Sequence, residues 1–478
     1  MEEIGIKQAV LYNSIAKYGT MIVQLGVSMV LSRLILPEAF GVIAIITILI
    51  GFLELFADMG LGINVIQHPE MNKQDIYKLF SFSAIVGVVL VIITILLSYP
   101  LTVFLSDKIF LTLCPLVSIV SFFNSLNVVP NAILLRDKSF KIIAKRAICC
   151  ALTSGGISVI LAYAGAGVYA LISQVIINSL FIFLWNYILN PLKFVSFSFK
   201  KVTSLLGTYS LFQILFNFLN YFTRNLDHLL IGKFFGTANL AQYNKSYALY
   251  LYPNNIFASV LTGVLHPYIR EYKANFEKMF NKYIQIEKLL SVIGLFTMIS
   301  FFFCSKEIVL IMFGDNWEPA GIYLRCLSIC MWAQMMCSVA GSIFLGLERT
   351  DQTFICGIFC FFILVLSIAI GVMFNNLMLL SLCVGISYNI IFLFTNYILI
   401  VKTMHISLWK FFSKLYLDGL FGFLFILIVL LFNPVSISNI YLALVVKVVI
   451  CLIYYVGYLF ITKQIHLLND LKTMILRK

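Results

Sequence analysis

The chain consists largely of apolar runs that are long enough to cross a membrane, and these runs limit it to one kind of fold. A bilayer span needs about 20 predominantly apolar residues. Within hydrocarbon, only helices and closed barrels satisfy all of their own backbone hydrogen bonds, and runs of this length predict helices. The runs lie at about 10–33, 40–66, 77–99, 110–134, 143–164, 167–189, 204–231, 238–266, 283–304, 320–346, 353–374, 377–401, 411–432 and 439–462. The sequence therefore predicts an all-α polytopic membrane protein with about 14 transmembrane helices.

Composition supports the membrane class and argues against several others. Hydrophobic residues make up 62% of the chain and charged residues only 11%, with a mean hydropathy of +1.01. The net charge of +13 is spread over short connections and not over a soluble domain. We therefore expect the basic residues to set topology and contact anionic membrane lipid, and we expect no nucleic-acid partner. The 11 cysteines lie mostly within apolar runs without metal-ligand spacing, so no metal and no cofactor are predicted.

The distribution of lysine and arginine predicts the orientation. If the N-terminus is cytoplasmic, only Arg33, Lys108, Lys233 and Lys306 of the 33 basic residues fall in the outer connections. Four more (Arg224, Lys245, Arg325 and Lys447) lie within or at the edge of spans, and the rest lie on the inner side. This bias predicts that both termini are cytoplasmic.

A weak internal echo suggests two halves. SRLILPEAFG at 32–41 leads from the first span to the second, and GKFFGTANLA at 232–241 leads from the seventh to the eighth. The copies are six spans apart and therefore share one orientation, as in repeats related by an axis along the membrane normal. We predict a six-helix lobe at 1–195, a second at 196–402, and two additional helices with a cytoplasmic tail at 403–478.

Two acids lie inside the second apolar run, where hydrocarbon makes a charge costly by about 2.5–3.5 kcal/mol on insertion scales. If the first two spans turn at Pro37–Glu38, Lys17 and Asp58 lie at a similar depth and are possible partners. Glu54 lies one helical turn from Asp58 on the same face. The sequence leaves open whether Glu54 and Asp58 are coupling groups or structural ones.

The seventh and eighth runs carry a second group of polar residues. Asp227 follows Arg224 by three positions, and reflection about the turn near Thr237 places Lys245 at the depth of Asp227. The surrounding side chains are too polar for a lipid-facing surface and predict a wet cavity, with Pro253 as a possible hinge. The predicted polar lining comprises Gln24, Gln213, Asn217, Asn220, Tyr221, Asn244 and Tyr247.

Signatures of enzymes are missing from the sequence. There is no GxxxxGK[ST] loop for ATP, no DxD motif of a metal-dependent glycosyltransferase and no HExxH motif. The connections are also too short to hold a soluble domain. We therefore expect a transporter with no catalytic residues.

One segment resembles a known family. LSRLILPEAFGVIAI followed by LFADMGLGINVIQ, within Leu31 to Gln67, is similar to the Wzx-type, colanic-acid-exporter-like flippases. These form the polysaccharide transporter branch of the multidrug/oligosaccharidyl-lipid/polysaccharide superfamily. The inner loop from Pro69 to Lys78 and FGDNWEPA at 313–320 also fit the family.

The resemblance implies two six-helix lobes around a central cavity that opens alternately to each side of the bacterial inner membrane. The implied substrate is an undecaprenyl-pyrophosphate-linked oligosaccharide, moved from the cytoplasmic to the outer leaflet for surface polysaccharide synthesis. Partners would be membrane lipid and the polymerase and glycosyltransferases of the same pathway. A pyrophosphate needs cations while it crosses, and Arg224, Lys245 and Lys17 are the candidates.

Two alternatives remain open from the sequence. A cation-coupled multidrug antiporter of the same fold is expected to carry a carboxylate in its first span, where this chain has only Lys17 and Gln24. A membrane-embedded polysaccharide polymerase or ligase is expected to need a large outer loop, and the sequence has none of that size.

Overall fold

The computed structural model describes residues 6–58, 60–196, 209–271, 275–432 and 437–464, with side chains described at 8–58, 60–196, 221–257, 275–432 and 437–464. Every element within these ranges is helical. By packing, the chain divides into two units, Met1–Ala241 and Gln242–Lys478. The three-part division expected from the sequence, with boundaries after residues 195 and 402, stays a prediction.

The first unit is built from long helices joined by short connections. α1 packs on α6, α4 on α5, α6 on α7, and α8 on α2. The helices are α1 (Ile6–Leu34), α2 (Pro37–Asp58), α3 (Leu61–Gln67), α4 (Lys73–Leu105), α5 (Ile109–Arg136), α6 (Phe140–Tyr163), α7 (Val168–Leu189), α8 (Tyr209–Phe235) and α9 (Thr237–Glu271), which continues into the second unit.

The second unit is organised around one very long helix, α10, which packs on α11, α12, α15 and α16. Its helices are α10 (Phe276–Phe313), α11 (Glu318–Ser328), α12 (Met331–Gly346), α13 (Thr350–Met373), α14 (Leu377–Asn396), α15 (Leu408–Phe432) and α16 (Ile440–Ile461). A short 3-10 turn at Asp315–Trp317 precedes α11, and a π-helical segment at Tyr397–Thr403 follows α14. The core of this unit is apolar and is shared by α10, α12, α14 and α15.

The membrane class is confirmed. Among the described residues, 11 helices are long and apolar enough to cross a membrane, or 12 if α11 and α12, which meet at a bend of 58°, form one broken span. Outside this set are the short α3 and two long helices, α8 and α9, which correspond to the most polar apolar runs of the sequence and whose side chains are described only at 221–257. The chain is therefore an all-helical, multi-pass membrane protein.

Glycine ends or starts helices at two points that matter for the candidate site. Gly60 has a φ of 81° between α2 and α3, so the apolar run that the sequence presents as one span is two helices. Gly236 has a φ of 86° between α8 and α9. Both values lie in the left-handed region, which glycine adopts without steric cost.

The turn before α2 and the turn before α9 lie against each other within the first unit. A Cβ atom added to Gly41 would lie 1.8 Å from the carbonyl oxygen of Thr237 and 2.5 Å from its carbonyl carbon. The two segments of the internal echo therefore meet backbone to backbone. Only a residue without a side chain allows this approach.

Replacing Gly41 by alanine is expected to destabilise the protein, because the backbone at Thr237 has to move. Overpacking of this kind typically costs about 1–3 kcal/mol. Thermal unfolding of the purified protein in detergent should show a lower Tm for Gly41→Ala. Gly26→Ala is the matched control, because a Cβ atom at Gly26 has nothing within 4 Å. Equal Tm values for the two variants would contradict this packing.

Candidate functional site

Glu54, the first of the two acids in α2, is bound by side chains from two other helices. Its carboxylate accepts a hydrogen bond from Asn124 Nδ2 of α5. The Asn124 oxygen in turn accepts one from Ser179 Oγ of α7 at 2.5 Å. Glu54 as a whole remains exposed. The carboxylate is thus fixed in position on a chain of hydrogen bonds that crosses three helices.

Asp58 ends α2 and contributes to the start of α3. Its Oδ1 atom accepts a hydrogen bond from the backbone N–H of Gly62 at 3.0 Å. The first N–H groups of a helix have no partner within the helix, and a carboxylate at this place satisfies one of them. On α1, the possible partner Lys17 and the predicted lining residue Gln24 are both exposed.

Arg224 and Asp227 of α8 lie in different surroundings, although they are one helical turn apart. Arg224 is exposed. Asp227 is buried, and its Oδ1 atom accepts a hydrogen bond from the backbone N–H of His228 at 2.8 Å and lies 2.7 Å from His228 Nδ1. The sequence analysis missed His228 as a partner of this acid, although the two residues are adjacent in the chain.

Lys245, the predicted cation of α9, lies against aromatic rings of the FGDNWEPA segment. Its Nζ atom is 4.8 Å from the centre of the Phe313 ring and 5.3 Å from that of Trp317. At these distances a cation is attracted to the ring faces. The side chain of Lys245 is half-buried, whereas Trp317 is fully buried.

Polar side chains on the same part of α9 fasten it to that segment. Gln242 Nε2 donates to the carbonyl of Asn316 at 2.8 Å, and Gln242 Oε1 accepts from the backbone N–H of Ala320 at 3.2 Å. Ser246 Oγ donates to the carbonyl of Ala320 at 2.6 Å. Part of the polarity of α9 is therefore used in packing.

Apart from the exposed Gln24, the predicted lining residues whose side chains the structure describes are half-buried. Tyr247 lies in a row of tyrosine rings, 4.9 Å from Tyr250, and its hydroxyl is 3.4 Å from that of Tyr388. Asn244 is half-buried beside it. In the first unit, Tyr221 donates a hydrogen bond to the carbonyl of Ile48 in α2 at 2.5 Å.

The side chains of three predicted lining residues, Gln213, Asn217 and Asn220, lie outside the described residues. The possible hinge, Pro253, is buried, and α9 continues through it from Thr237 to Glu271. Among the described residues, no group of three histidine, cysteine, aspartate or glutamate side chains is arranged to hold a metal ion.

Sequence analysis missed a buried arginine in the first unit. Arg146 of α6 is 7% exposed, and its Nη1 atom donates to Asn131 Oδ1 at 3.1 Å and to Asn186 Oδ1 at 2.5 Å. Asn186 Nδ2 donates to Asn127 Oδ1 at 2.6 Å. The signal in the sequence was the pair Asn127 and Asn131, four residues apart on one face of α5.

Sequence analysis also missed the acids buried in the second unit. Glu307 of α10 forms an ion pair with Lys447 of α16 at 2.7 Å. Asp418 of α15 accepts hydrogen bonds from Ser291, Tyr458 and Gln464, all within 3.0 Å. Glu287 of α10 is fully buried. Their partners are 127 to 140 positions away in the sequence for Asp418 with Ser291 and for Glu307 with Lys447, so helical spacing gives no signal for them.

The described helices define a polytopic membrane protein. Residues 30–321 match the family model described as "Polysaccharide biosynthesis protein". The chain belongs to this family, since the match covers more than half of its 478 residues. The resemblance found in the sequence is confirmed.

Named relatives and solved structures agree with the family. The chain is 23% identical over 355 residues to the lipopolysaccharide biosynthesis protein WzxC of Escherichia coli K12, covering 72% of this chain and 70% of WzxC. Its fold is similar to that of the lipid II flippase MurJ, with a TM-score of 0.73 at 16% identity, covering 95% of this chain and 99% of MurJ. An inward-facing multidrug resistance transporter of the MATE family aligns with a TM-score of 0.60 at 17% identity, over 81% of this chain and 96% of that one.

Arg146→Met is expected to lower the stability of the purified protein. The substitution keeps the apolar volume but leaves the oxygens of Asn131 and Asn186 without their donor, at a cost of about 1–3 kcal/mol for each unsatisfied group. Thermal unfolding in detergent measures the effect. Lys145→Met is the control, because Lys145 is the exposed neighbour on the same helix. A Tm that falls equally in both variants would argue against the network.

Proposed function

We propose that the protein is a flippase that moves an undecaprenyl-pyrophosphate-linked oligosaccharide from the cytoplasmic to the outer leaflet of the bacterial inner membrane. The transport supplies the synthesis of a surface polysaccharide, such as O-antigen, capsule or exopolysaccharide. Like its named relatives, the protein is a transporter and not an enzyme. The observation that carries the proposal is the family match over residues 30–321 in a chain whose fold resembles MurJ along nearly its whole length.

The proposed topology has 14 spans, with both termini in the cytoplasm. It adds α8 and α9 to the 12 spans that length and hydropathy support when the bent pair counts as one. Two polar helices among apolar ones are expected in a transporter, because polar groups at membrane depth are retained where they face protein or water. The proposed organisation remains two six-helix lobes, 1–195 and 196–402, followed by the two additional helices in 403–478.

The proposed substrate-binding residues are cations and hydrogen-bonding groups. Arg224 and Lys17 are exposed, which leaves their charges accessible to a pyrophosphate. Lys245 is half-buried on aromatic rings and supplies a further cation. Half-buried Tyr247 and Asn244 offer the ring faces and amide groups that bind sugars. Membrane lipid and the polymerase and glycosyltransferases of the pathway are the proposed partners.

A second candidate function is favoured by the likeness to the multidrug transporter fold. One experiment distinguishes the two functions: expression in a strain that lacks its own flippase, with surface glycan and drug resistance measured together. Restored surface glycan supports the flippase. Drug resistance without restored glycan would favour an antiporter and overturn the proposal. Several host strains with different glycans are needed, because flippases discriminate among oligosaccharides by their contacts with them.

Arg224→Ala and Lys245→Ala are each expected to reduce surface glycan export in the complemented strain. Each change removes a cation from the proposed path of the pyrophosphate, and a lost charge-assisted contact of about 1.5–3 kcal/mol corresponds to about tenfold or more in binding. Immunoblots of the membrane fraction should show normal insertion. Lys108→Ala is the control, because Lys108 is an exposed cation outside this group. Full export by both variants would rule out these cations as binding residues.

A further inference from the structure

Among the described residues of the second unit, Glu287 is a fully buried acid to which no hydrogen-bond donor is directed. It is the twelfth residue of α10 and is 0% exposed. Its neighbours on α10, including Ile286, Leu289 and Leu290, belong to the apolar core that α10 shares with α12, α14 and α15. An ionised carboxylate in such a place has lost its water, and only hydrogen bonds or a cation would replace it.

Neither oxygen of Glu287 accepts a hydrogen bond from any described residue. The hydroxyl of Tyr283, one turn earlier on α10, interacts with Glu287, but it donates its hydrogen to Asn396 Oδ1 at 2.7 Å, while Asn396 Nδ2 donates to the carbonyl of Phe392. The oxygen of Tyr283 is therefore an acceptor for a hydrogen bond and not a donor to Glu287. A protonated carboxyl has an O–H of its own and fits this arrangement, whereas a carboxylate does not.

Other acids of the same unit show what a charged side chain receives in this protein. Asp418 accepts a bond from Ser291 on one oxygen and bonds from Tyr458 and Gln464 on the other. Glu307 pairs with Lys447 at 2.7 Å, and Glu277 pairs with Lys410 at 3.2 Å. Glu287 differs from these acids in having no such partner within the described chain.

Among the described residues, the titratable groups that interact with Glu287 supply no positive charge. On its own helix the neighbour is Tyr283, and on α12 it is Cys337. Beside Cys337 lie Cys356 and Cys360 of α13. One turn further along α10, at Ser291, lie Asp418 of α15 and Tyr458 of α16, with Lys288 interacting with Asp418.

We propose that Glu287 is a proton-binding site inside the second unit, which holds a proton in the arrangement described and releases it when α10 parts from α12 and α14. The released proton leaves through the water that such a separation admits, and the carboxylate left behind is hydrated by that water. Re-packing of the helices requires the proton to return. The site therefore ties one arrangement of the unit to proton binding. Any coupling of this step to glycan export rests on the proposed function.

A second feature lies beside the site. Asn396, the acceptor of the Tyr283 hydroxyl, is followed at once by the π-helical segment Tyr397–Thr403. Within this segment Thr403 Oγ1 donates to the carbonyl of Ile398 at 3.0 Å. π-helical turns are rare and occur mostly at functional sites. The π-helical segment lies directly after Asn396, the residue of α14 that is hydrogen-bonded to α10. A movement of α10 would therefore act on α14 next to this widened turn.

The proposal is tested with a hydrophobic carbodiimide, N,N′-dicyclohexylcarbodiimide, which reacts with protonated carboxyl groups in apolar surroundings. The full-length protein in detergent is treated, digested and analysed by mass spectrometry. We expect the peptide that contains Glu287 to be labelled, and Glu287→Gln to lose this label. Glu277→Gln, which changes an exposed, ion-paired acid of the same helix, should keep it. No label on Glu287, or a label on Asp418 in its place, would overturn the proposal.

Two further measurements extend the test without relying on transport, and the first of them does not rely on labelling either. Glutamine has the shape of a protonated glutamate, so Glu287→Gln should fold with an undiminished Tm, and its Tm should fall less than that of the wild type as the pH rises. The sign follows from linkage: a native state that binds a proton loses stability where the unfolded chain releases it. Loss of the label in sodium chloride but not in choline chloride would indicate a metal cation and contradict a proton site. Failure of glycan complementation would overturn only the proposed function.

Discussion

Hydrocarbon provides no partner for a charge, so every ionisable side chain placed between the apolar helices of this protein depends on partners within the protein. The structure meets this constraint in several ways. Lys447 pairs with Glu307, three donors bind Asp418, and Arg146 donates to two asparagines, one of which bonds to a third. These clusters join helices that are distant in the sequence. The polar minority of the chain thus determines which apolar helices pack together, because apolar surface alone has little preference for one helix over another in lipid.

The fold class followed from the sequence because the length of an apolar run is a local property. The family followed from one motif-bearing stretch, Leu31 to Gln67. The same stretch shows what the length of an apolar run does not predict. It is one apolar run in the sequence, but in the structure α2 ends at Asp58 and α3 begins after Gly60. Asp58 then satisfies a helix-start N–H group, a role set by a break in the helix that periodicity does not display.

The sequence could not predict which residues pair with the buried charges, and the reason is physical. Helical spacing relates residues three or four positions apart, but Glu307 and Lys447 are 140 positions apart and Arg146 and Asn186 are 40 apart. The sequence also does not show which polar side chains of α8 and α9 bond to distant elements. Their polarity therefore predicted a wet lining. The structure shows that Tyr221 and Gln242 already bond to backbone carbonyls of other elements. Arg224 is exposed and Asn244 and Tyr247 are half-buried, and their role in binding a ligand stays a proposal.

The contact of Gly41 with Thr237 has a consequence for how the protein can move. The two turns meet by shape alone at this point, since glycine brings no side chain to the approach. Separating Gly41 from Thr237 uncovers backbone atoms and no charged side chain of these two residues. If a transport cycle draws these turns apart, the contact between Gly41 and Thr237 opens and closes without exposing a charged side chain of either residue. The opening of this contact would therefore not depend on salt concentration or pH. Sensitivity to ions would then have to arise elsewhere in the molecule.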